Sequence, residues 1–168
     1  ISLLAGAFFE PGDALLTLQQ DFSMYRFYGN VYGVQTPVYP KREDLTIDVE
    51  GLISYIRENR IRGLIFSNPC NPTSLCLPRE QVLELVRSLP DCLVVVDEAY
   101  MDFANDSVLE DVERFENLIV LKTCSKAIGM AALRLGFAVA NETLSRALRA
   151  VKSPYNVNAV SQAIGSVV

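Results

Sequence analysis

The sequence predicts an α/β fold, namely a three-layer α/β/α sandwich with a mainly parallel sheet. Short apolar runs of strand type alternate with segments of helical periodicity, which is the pattern of strands joined by crossover helices. Residues 93–96 form a continuous apolar run, typical of a strand buried on both faces of a parallel sheet. A chain of 168 residues suits one domain with a substantial core, and it contains no repeat or linker that would divide it.

The elements follow in a regular order along the chain. A first helix over residues 1–9 is expected to end at Pro11-Gly12, and a second over residues 22–32 is expected to end at Gly33. A third helix is expected around Val49, Leu52, Ile53 and Ile56, and a fourth from Pro78 onward with Val82, Leu85, Val86 and Leu89 inward. A fifth is expected to begin at an Asn141 N-cap and to use Leu144, Leu148 and Val151. A last helix is expected after the loop 153–156. The predicted strands are residues 14–18, 34–39, 64–66, 93–96, 118–121 and 136–140.

Composition excludes several classes of function. A net charge of −5 and a pI near 4.8 argue against nucleic-acid binding, which needs a basic surface. No apolar run reaches the ~18 residues of a membrane span. Residues 1–9 resemble the apolar core of a signal peptide, but no basic segment precedes them, so a helix end is the preferred interpretation.

Cysteine and histidine content narrows the chemistry further. Four cysteines (Cys70, Cys76, Cys92 and Cys124) lie far apart without metal-type spacing, which indicates reduced thiols and a cytoplasmic protein. Histidine is absent, which excludes a Ser-His or Cys-His nucleophile within this chain. No metal site is predicted.

Three successive predicted strands end in polar residues. The first is followed by Asn68 and Asn71, the second by Asp97 and Tyr100, and the third by Thr123, Ser125 and Lys126. Because the carboxyl ends of parallel strands share one edge of a sheet, these side chains are expected to converge. Taken singly, each has an ordinary explanation: an N-cap for Asp97, a turn residue for Asn71, a solvated charge for Lys126 and an ion pair for Arg134. Their joint occurrence favours a site.

The stretch 118–137, L-I-V-L-K-T-C-S-K-A-I-G-M-A-A-L-R-L-G-F, carries the central group of that site. Lys126 follows a buried strand, where α/β proteins place their chemistry. Thr123, Ser125 and Arg134 supply short donors and a planar charged fork suited to a phosphate group. We therefore interpret Lys126 as the residue that holds pyridoxal phosphate through a Schiff base.

The chemistry of that cofactor assigns a role to each remaining residue. A carboxylate beside the pyridine nitrogen keeps it protonated, and Asp97 is the candidate. Asn71 and the Tyr100 hydroxyl can donate to the phenolic oxygen. An aromatic ring should cover the cofactor, and either Phe22 or Tyr25 could supply it. The Lys126 amine, once released, can act as the general base that moves the substrate's α-proton.

These residues resemble the fold-type I pyridoxal-phosphate-dependent aminotransferases, and within them the histidinol-phosphate branch. The resemblance covers the whole chain and rests on F-E-P-G-D, S-N-P-C-N-P-T, V-V-V-D-E-A-Y-M-D-F, T-C-S-K-A-I-G-M-A-A-L-R-L-G-F and P-Y-N-V-N, in the family's order. It implies a homodimeric enzyme that transfers an amino group between L-histidinol phosphate and 2-oxoglutarate in histidine biosynthesis. By the same resemblance, Lys126, Asp97, Asn71, Tyr100, Thr123, Ser125, Arg134 and Phe22 match the family's cofactor-binding positions.

The chain departs from the family's pattern at a few positions. It has Gln20-Asp21-Phe22 where the family reads P-T-Y, and Ser74 where a glycine usually follows N-P-T. Ser74 is therefore expected to occupy a turn that would suit glycine if its φ is positive. Ala132 also stands where glycine is common. None of these changes removes a catalytic group.

The resemblance also implies that residues 1–168 are the cofactor-binding large domain, truncated at both ends and lacking the small domain. The carboxylate-binding arginine would lie in that small domain. A partner subunit would complete the site near Tyr155 and Asn156. The isolated segment is therefore expected to bind cofactor weakly and to turn over little or no substrate.

Alternative functions remain open at this point. A threonine-phosphate decarboxylase or another amino-acid aminotransferase could share this core, because the missing parts largely choose the substrate. A receiver-type or cofactor-sensing regulatory module is the non-enzymatic alternative. A receiver domain would need an acidic pair after its first strand, for which Gln19-Gln20-Asp21 is a poor substitute.

Overall fold

A computed structural model describes residues 1–167 of the chain, which form one six-stranded sheet flanked by helices. The strands are β1 (Leu15–Leu18), β2 (Val38–Tyr39), β3 (Gly63–Ser67), β4 (Leu93–Asp97), β5 (Leu118–Thr123) and β6 (Gly136–Ala140). The α-helices are α1 (Ser2–Phe8), α2 (Met24–Val31), α3 (Val49–Glu58), α4 (Arg79–Ser88), α5 (Glu142–Val151) and α6 (Ala159–Gly165). Short 3-10 helices cover Met101–Phe103, Leu109–Arg114 and Ala131–Leu133.

The sheet order is β2-β1-β3-β4-β5-β6, and the first five strands are parallel. Strand β6 pairs antiparallel with β5. The predicted mainly parallel α/β sheet is thus confirmed. The register places Ser67 beside Asp97 and Asp97 beside Leu121, so β3, β4 and β5 end at the same edge.

Two apolar clusters lie on opposite faces of the sheet and account for the three layers. On one face, Phe66 and Val96 belong to a cluster with the inward residues of α3 and α4. On the other face, Ile65, Val95 and Ile119 pack with residues of α1, α2 and α5. Because successive strand residues point to opposite faces, a strand covered on both sides is apolar throughout, as β4 is.

The structure corrects two sequence predictions, one about the extent of a strand and one about the burial of a residue. The strand expected at residues 34–39 is reduced to Val38–Tyr39, with Gln35 forming an isolated bridge to Ala14. Pro37 has no N–H to donate to a ladder, which explains the interruption. In α5 the side chain of Asn141 accepts from the Leu144 N–H at 3.0 Å, as expected of an N-cap, but Val151 is exposed and not inward.

Helix length and the state of the cysteines were both predicted from the sequence. No helix within residues 1–167 is both long and apolar enough to cross a bilayer. The four cysteines are free thiols, and Cys70, Cys92 and Cys124 are buried.

Candidate active site

The carboxyl ends of β4 and β5 open onto a cleft of about 1250 Å³. Its lining includes six of the eight residues predicted for the cofactor site, namely Phe22, Asp97, Thr123, Ser125, Lys126 and Arg134. Asn71 and Tyr100 are not part of this lining, although the Tyr100 ring lies beneath the Lys126 amine. The structure therefore brings together residues that are 112 positions apart in the chain, from Phe22 to Arg134.

Asp97 ends β4 and presents a carboxylate held by two donors. The Tyr25 hydroxyl donates to Oδ2 at 2.9 Å, and the Ala99 N–H donates to Oδ1 at 3.1 Å. Burial raises the pKa of Asp97, while these two hydrogen bonds lower it. Each oxygen keeps a lone pair, so the carboxylate can still accept from a cationic N–H in the cleft, which would favour its ionised form.

The sequence offered either Phe22 or Tyr25 as the ring that covers the cofactor, and the structure gives the two residues different positions. It is 0% exposed and its hydroxyl is bound to Asp97, whereas Phe22 is 37% exposed and lines the cleft. The two rings meet edge to face, with centroids 5.5 Å apart. The geometry thus favours Phe22 as the ring that covers a ligand and Tyr25 as the residue that orients Asp97.

We expect Tyr25→Phe to destabilise the cofactor-free protein by about 1.5–3 kcal/mol, because a buried hydrogen bond to a charged group is lost. Urea denaturation gives the free energy of unfolding. Tyr28→Phe is the matched control, since Tyr28 lies on the same helix and its hydroxyl makes no hydrogen bond within residues 1–167. Equal stability of the two variants would show that the Tyr25–Asp97 contact contributes nothing.

Lys126 is distinguished from the other three lysines by its free amine. Lys122 lies 3.3 Å from an Asp102 carboxylate oxygen, Lys41 donates to the Cys70 sulfur, and Lys152 donates to Asn156. Within the described residues, the Lys126 Nζ makes no hydrogen bond or ion pair. It lies 5.0 Å from the centroid of the Tyr100 ring, at the exposed mouth of the cleft that also contains Asp97.

The loop that carries Lys126 is held by backbone hydrogen bonds at its base. The Cys124 N–H donates to the Leu135 carbonyl at 3.1 Å, and the Met130 N–H donates to the Cys124 carbonyl at 2.8 Å. Gly136 permits the close pairing of β5 and β6, because a Cβ there would lie 2.8 Å from the Lys122 carbonyl oxygen. The closed base presents the side chains of the loop, including Lys126, to the cleft.

Ser125 and Arg134 meet at one side of the cleft. The Arg134 guanidinium approaches the Ser125 hydroxyl at 3.5 Å and donates to the Ala131 carbonyl at 2.9 Å. The Thr123 hydroxyl accepts from the Ser125 N–H at 3.2 Å. Arg134 is exposed and the two hydroxyl residues are half-buried, and together they have the donor chemistry that an anionic oxygen group requires.

Asn71 follows β3 in the loop 68–78. Its backbone N–H donates to the Ser67 hydroxyl at 3.0 Å, which fixes it close to the strand end. Ser74, in the same loop, has φ +59°, the left-handed conformation expected of a position where glycine would cost less.

Glu98 is a buried acid that the sequence analysis did not single out. It is 0% exposed; its carboxylate accepts from the Val108 N–H at 2.8 Å and the Ser107 hydroxyl at 2.7 Å, with the Lys122 Nζ at 3.8 Å. Glu98 therefore anchors the loop after β4 beside the cleft. The sequence could have indicated Glu98 through its position directly after Asp97, at the end of the apolar run 93–96.

Burial raises the pKa of Glu98, which gives a pH-dependent contribution to stability. The folded state binds this proton more tightly than the unfolded chain does, so the contribution is present below the unfolded pKa and is lost as pH rises through the folded pKa. We expect Glu98→Gln, which keeps one acceptor oxygen for the Val108 N–H and removes the titrating group, to flatten that decline. Urea denaturation of wild type and variant from pH 4 to pH 8 measures it, and parallel curves would contradict the assignment.

The sequence of the chain is similar to those of known aminotransferases. Residues 1–167 match the family model for aminotransferase class I and II. The chain is 46% identical to histidinol-phosphate aminotransferase of Clostridium novyi over 168 residues, covering all of this chain and 47% of that protein. It is 41% identical to the Thermoanaerobacter sp. enzyme of the same name over 165 residues, covering 98% of this chain and 46% of that protein. The chain spans about half the length of the curated relatives it matches.

Solved structures show the same fold. Histidinol-phosphate aminotransferase from Sinorhizobium meliloti, in complex with pyridoxal-5'-phosphate, superposes with a TM-score of 0.88 at 23% identity, covering 95% of this chain and 44% of that one. L-threonine-O-3-phosphate decarboxylase from Porphyromonas gingivalis superposes with a TM-score of 0.80 at 28% identity, covering 95% and 47%. Given the match of residues 1–167 to the family model, the chain belongs to the aminotransferase class I and II family.

Proposed function

We propose that the protein containing this chain is a pyridoxal-phosphate-dependent aminotransferase that exchanges an amino group between L-histidinol phosphate and 2-oxoglutarate. The observation that carries the proposal is the presence in one cleft of the Lys126 amine, which has no hydrogen bond or ion pair within residues 1–167, and of the half-buried Asp97 carboxylate. The names of the Clostridium novyi and Thermoanaerobacter relatives support the choice of substrate.

The residues present fit the cofactor. The cleft offers a carboxylate with spare lone pairs at Asp97, an aromatic ring at Phe22, and a guanidinium with hydroxyls at Arg134, Ser125 and Thr123. These are the groups that a protonated ring nitrogen, a flat ring and a phosphate would respectively contact. By the family resemblance, Asn71 and Tyr100 would donate to the phenolic oxygen; the Tyr100 ring lies 5.0 Å from the Lys126 amine.

When bound, pyridoxal phosphate supplies an electron-accepting ring and an aldehyde that reacts with primary amines. Lys126 would provide the primary amine that holds the cofactor, and its Nζ, once released, would move the proton at the substrate's Cα as general base. Asp97 would keep the proton on the ring nitrogen, in the orientation that its hydrogen bond from the Tyr25 hydroxyl gives it. Phe22 would cover one face of the ring and Arg134 would hold the phosphate.

The chain would form the cofactor-binding large domain of a longer protein, because its curated relatives are about twice its length. A cytoplasmic setting agrees with four free thiols. A homodimer agrees with the loop around Tyr155, whose side chain is 90% exposed. Sedimentation of the complete protein tests the dimer; a monomer at micromolar concentration would exclude it.

A second candidate is decarboxylation of threonine phosphate, which the 28% identity and TM-score of 0.80 to the Porphyromonas gingivalis enzyme favour. Both reactions would use the same Lys126 and Asp97. Assays of the complete protein separate them: glutamate formation from histidinol phosphate and 2-oxoglutarate supports our proposal, whereas release of CO₂ from phosphothreonine without amino transfer would replace it. A visible band with neither turnover would favour a regulatory, cofactor-sensing module.

A further inference from the structure

Asp21 lies at the centre of a hydrogen-bond network beside the cleft. One carboxylate oxygen, Oδ1, accepts from the Phe22 N–H at 2.7 Å and from the Ser67 hydroxyl. The other, Oδ2, accepts from the Ser67 N–H at 3.1 Å. Ser67 itself is buried and accepts from the Asn71 N–H at 3.0 Å. A single carboxylate thus ties the segment after β1 to the end of β3.

The two segments joined by Asp21 each carry a candidate cofactor contact. Phe22 follows Asp21 directly and lines the cleft, and Asn71 is connected to Asp21 through the Ser67 hydroxyl. Since Ser67 lies opposite Asp97 in the β3–β4 register, the network also abuts the carboxylate proposed to meet the ring nitrogen. Two positions of the proposed site therefore share one anchor, and a third lies next to it in the sheet.

We propose that Asp21 is a positioning residue, which sets Phe22 and Asn71 relative to each other through Ser67 and thereby organises the site for the cofactor ring. The inference rests on the proposed function, since it concerns residues that would contact the cofactor. Asp21 is also one of the positions at which this chain departs from the P-T-Y pattern of the family that it resembles.

The chemistry of the network favours a role in organising the site. Burial raises the pKa of Asp21, so keeping an ionised carboxylate there costs folding free energy, although the three donor contacts and Lys41 offset part of it. A carboxylate is needed because it can accept from all three donors at once. Asparagine, with one oxygen, can retain the Phe22 and Ser67 hydroxyl contacts on Oδ1 but places an NH₂ group toward the Ser67 N–H.

The test uses the complete protein and compares Asp21→Ala with Asp21→Asn, because both remove the charge and differ in the contacts they keep. Asp111→Asn is the control for loss of a carboxylate that is paired elsewhere in the fold, since Asp111 is buried against Arg79 and Arg114 and does not line the cleft. Three quantities are measured: the Kd for pyridoxal phosphate by absorbance titration, the pH midpoint of the bound cofactor's visible band, and the free energy of unfolding of the cofactor-free protein.

We expect Asp21→Ala to raise the Kd about tenfold and Asp21→Asn to raise it severalfold less, because the amide keeps two contacts. The band's midpoint should lie at higher pH in Asp21→Ala than in Asp21→Asn, since a displaced Asn71 stabilises the phenolate oxygen less well. Asp111→Asn should lose unfolding free energy with an unchanged Kd.

The outcomes separate this inference from the proposed function. If the wild-type protein shows no cofactor band, the proposed function fails. If the wild type binds cofactor and Asp21→Ala has the same Kd and midpoint as Asp21→Asn, the positioning role is overturned. It is equally overturned if Asp111→Asn weakens binding as much as Asp21→Ala does, because the effect would then follow stability alone.

Discussion

Replacing Lys126 by alanine in the complete protein is expected to abolish transamination, with kcat falling by at least about 1000-fold. Two contributions are lost together: the amine that holds the cofactor, and a general base that alone contributes about 10²–10⁴-fold. The variant should still fold, because Lys126 is exposed and its Nζ makes no hydrogen bond or ion pair within residues 1–167. Steady-state assays, with circular dichroism as the check on folding, measure the effect.

Lys122→Ala is the matched control, since Lys122 lies in β5, four residues before Lys126 in the loop that follows this strand. The Lys122 amine lies 3.3 Å from Asp102 and 3.8 Å from Glu98, so it is already paired. We expect the Lys122 variant to keep a borohydride-fixable band and the Lys126 variant to lose it. The reverse result would move the cofactor attachment to Lys122.

Asp97→Ala is expected to have the next largest effect, lowering kcat by about 10–1000-fold. A carboxylate beside a protonatable nitrogen shifts its pKa by about 1–3 units toward the charged form, and that preference disappears with the side chain. The ring would then accept electrons less well, while Lys126 would still attach it. Single-turnover kinetics and the absorbance of the bound cofactor measure both consequences.

Asp97→Asn separates charge from shape in this second prediction. Its amide fills the same space and can still accept from the Tyr25 hydroxyl, which donates to Asp97 at 2.9 Å. Because the amide carries no charge, we expect kcat close to that of Asp97→Ala. Near wild-type activity in either variant would mean that Asp97 does not partner the ring nitrogen.

Much of this account could be predicted from sequence because the relevant signals are local. The apolar run at 93–96 followed at once by Asp97 identified a buried strand and its polar end, and the structure confirms both in β4. The same reasoning identified β3 and β5, and parallel pairing then brought their ends together. The family, too, was identified from these strand-end motifs together with F-E-P-G-D and P-Y-N-V-N, and the match over residues 1–167 bears it out.

The contacts between distant segments could not be predicted in this way. The hydrogen bond from Tyr25 to Asp97 joins residues 72 positions apart, and that from Ser67 to Asp21 joins residues 46 apart. Such pairs depend on how loops settle over the sheet, which neither periodicity nor turn chemistry specifies. The shortened β2 likewise depends on how Pro37 lies at the edge of the sheet.

The central claim is that the Lys126 amine holds the cofactor, and peptide mapping of the complete protein tests it most directly. After loading with pyridoxal phosphate and reduction with borohydride, trypsin should release residues 123–134 as one peptide, carrying the cofactor's mass and uncut at Lys126. Attachment at Lys41, Lys122 or Lys152, or no attachment to any lysine, would contradict the account.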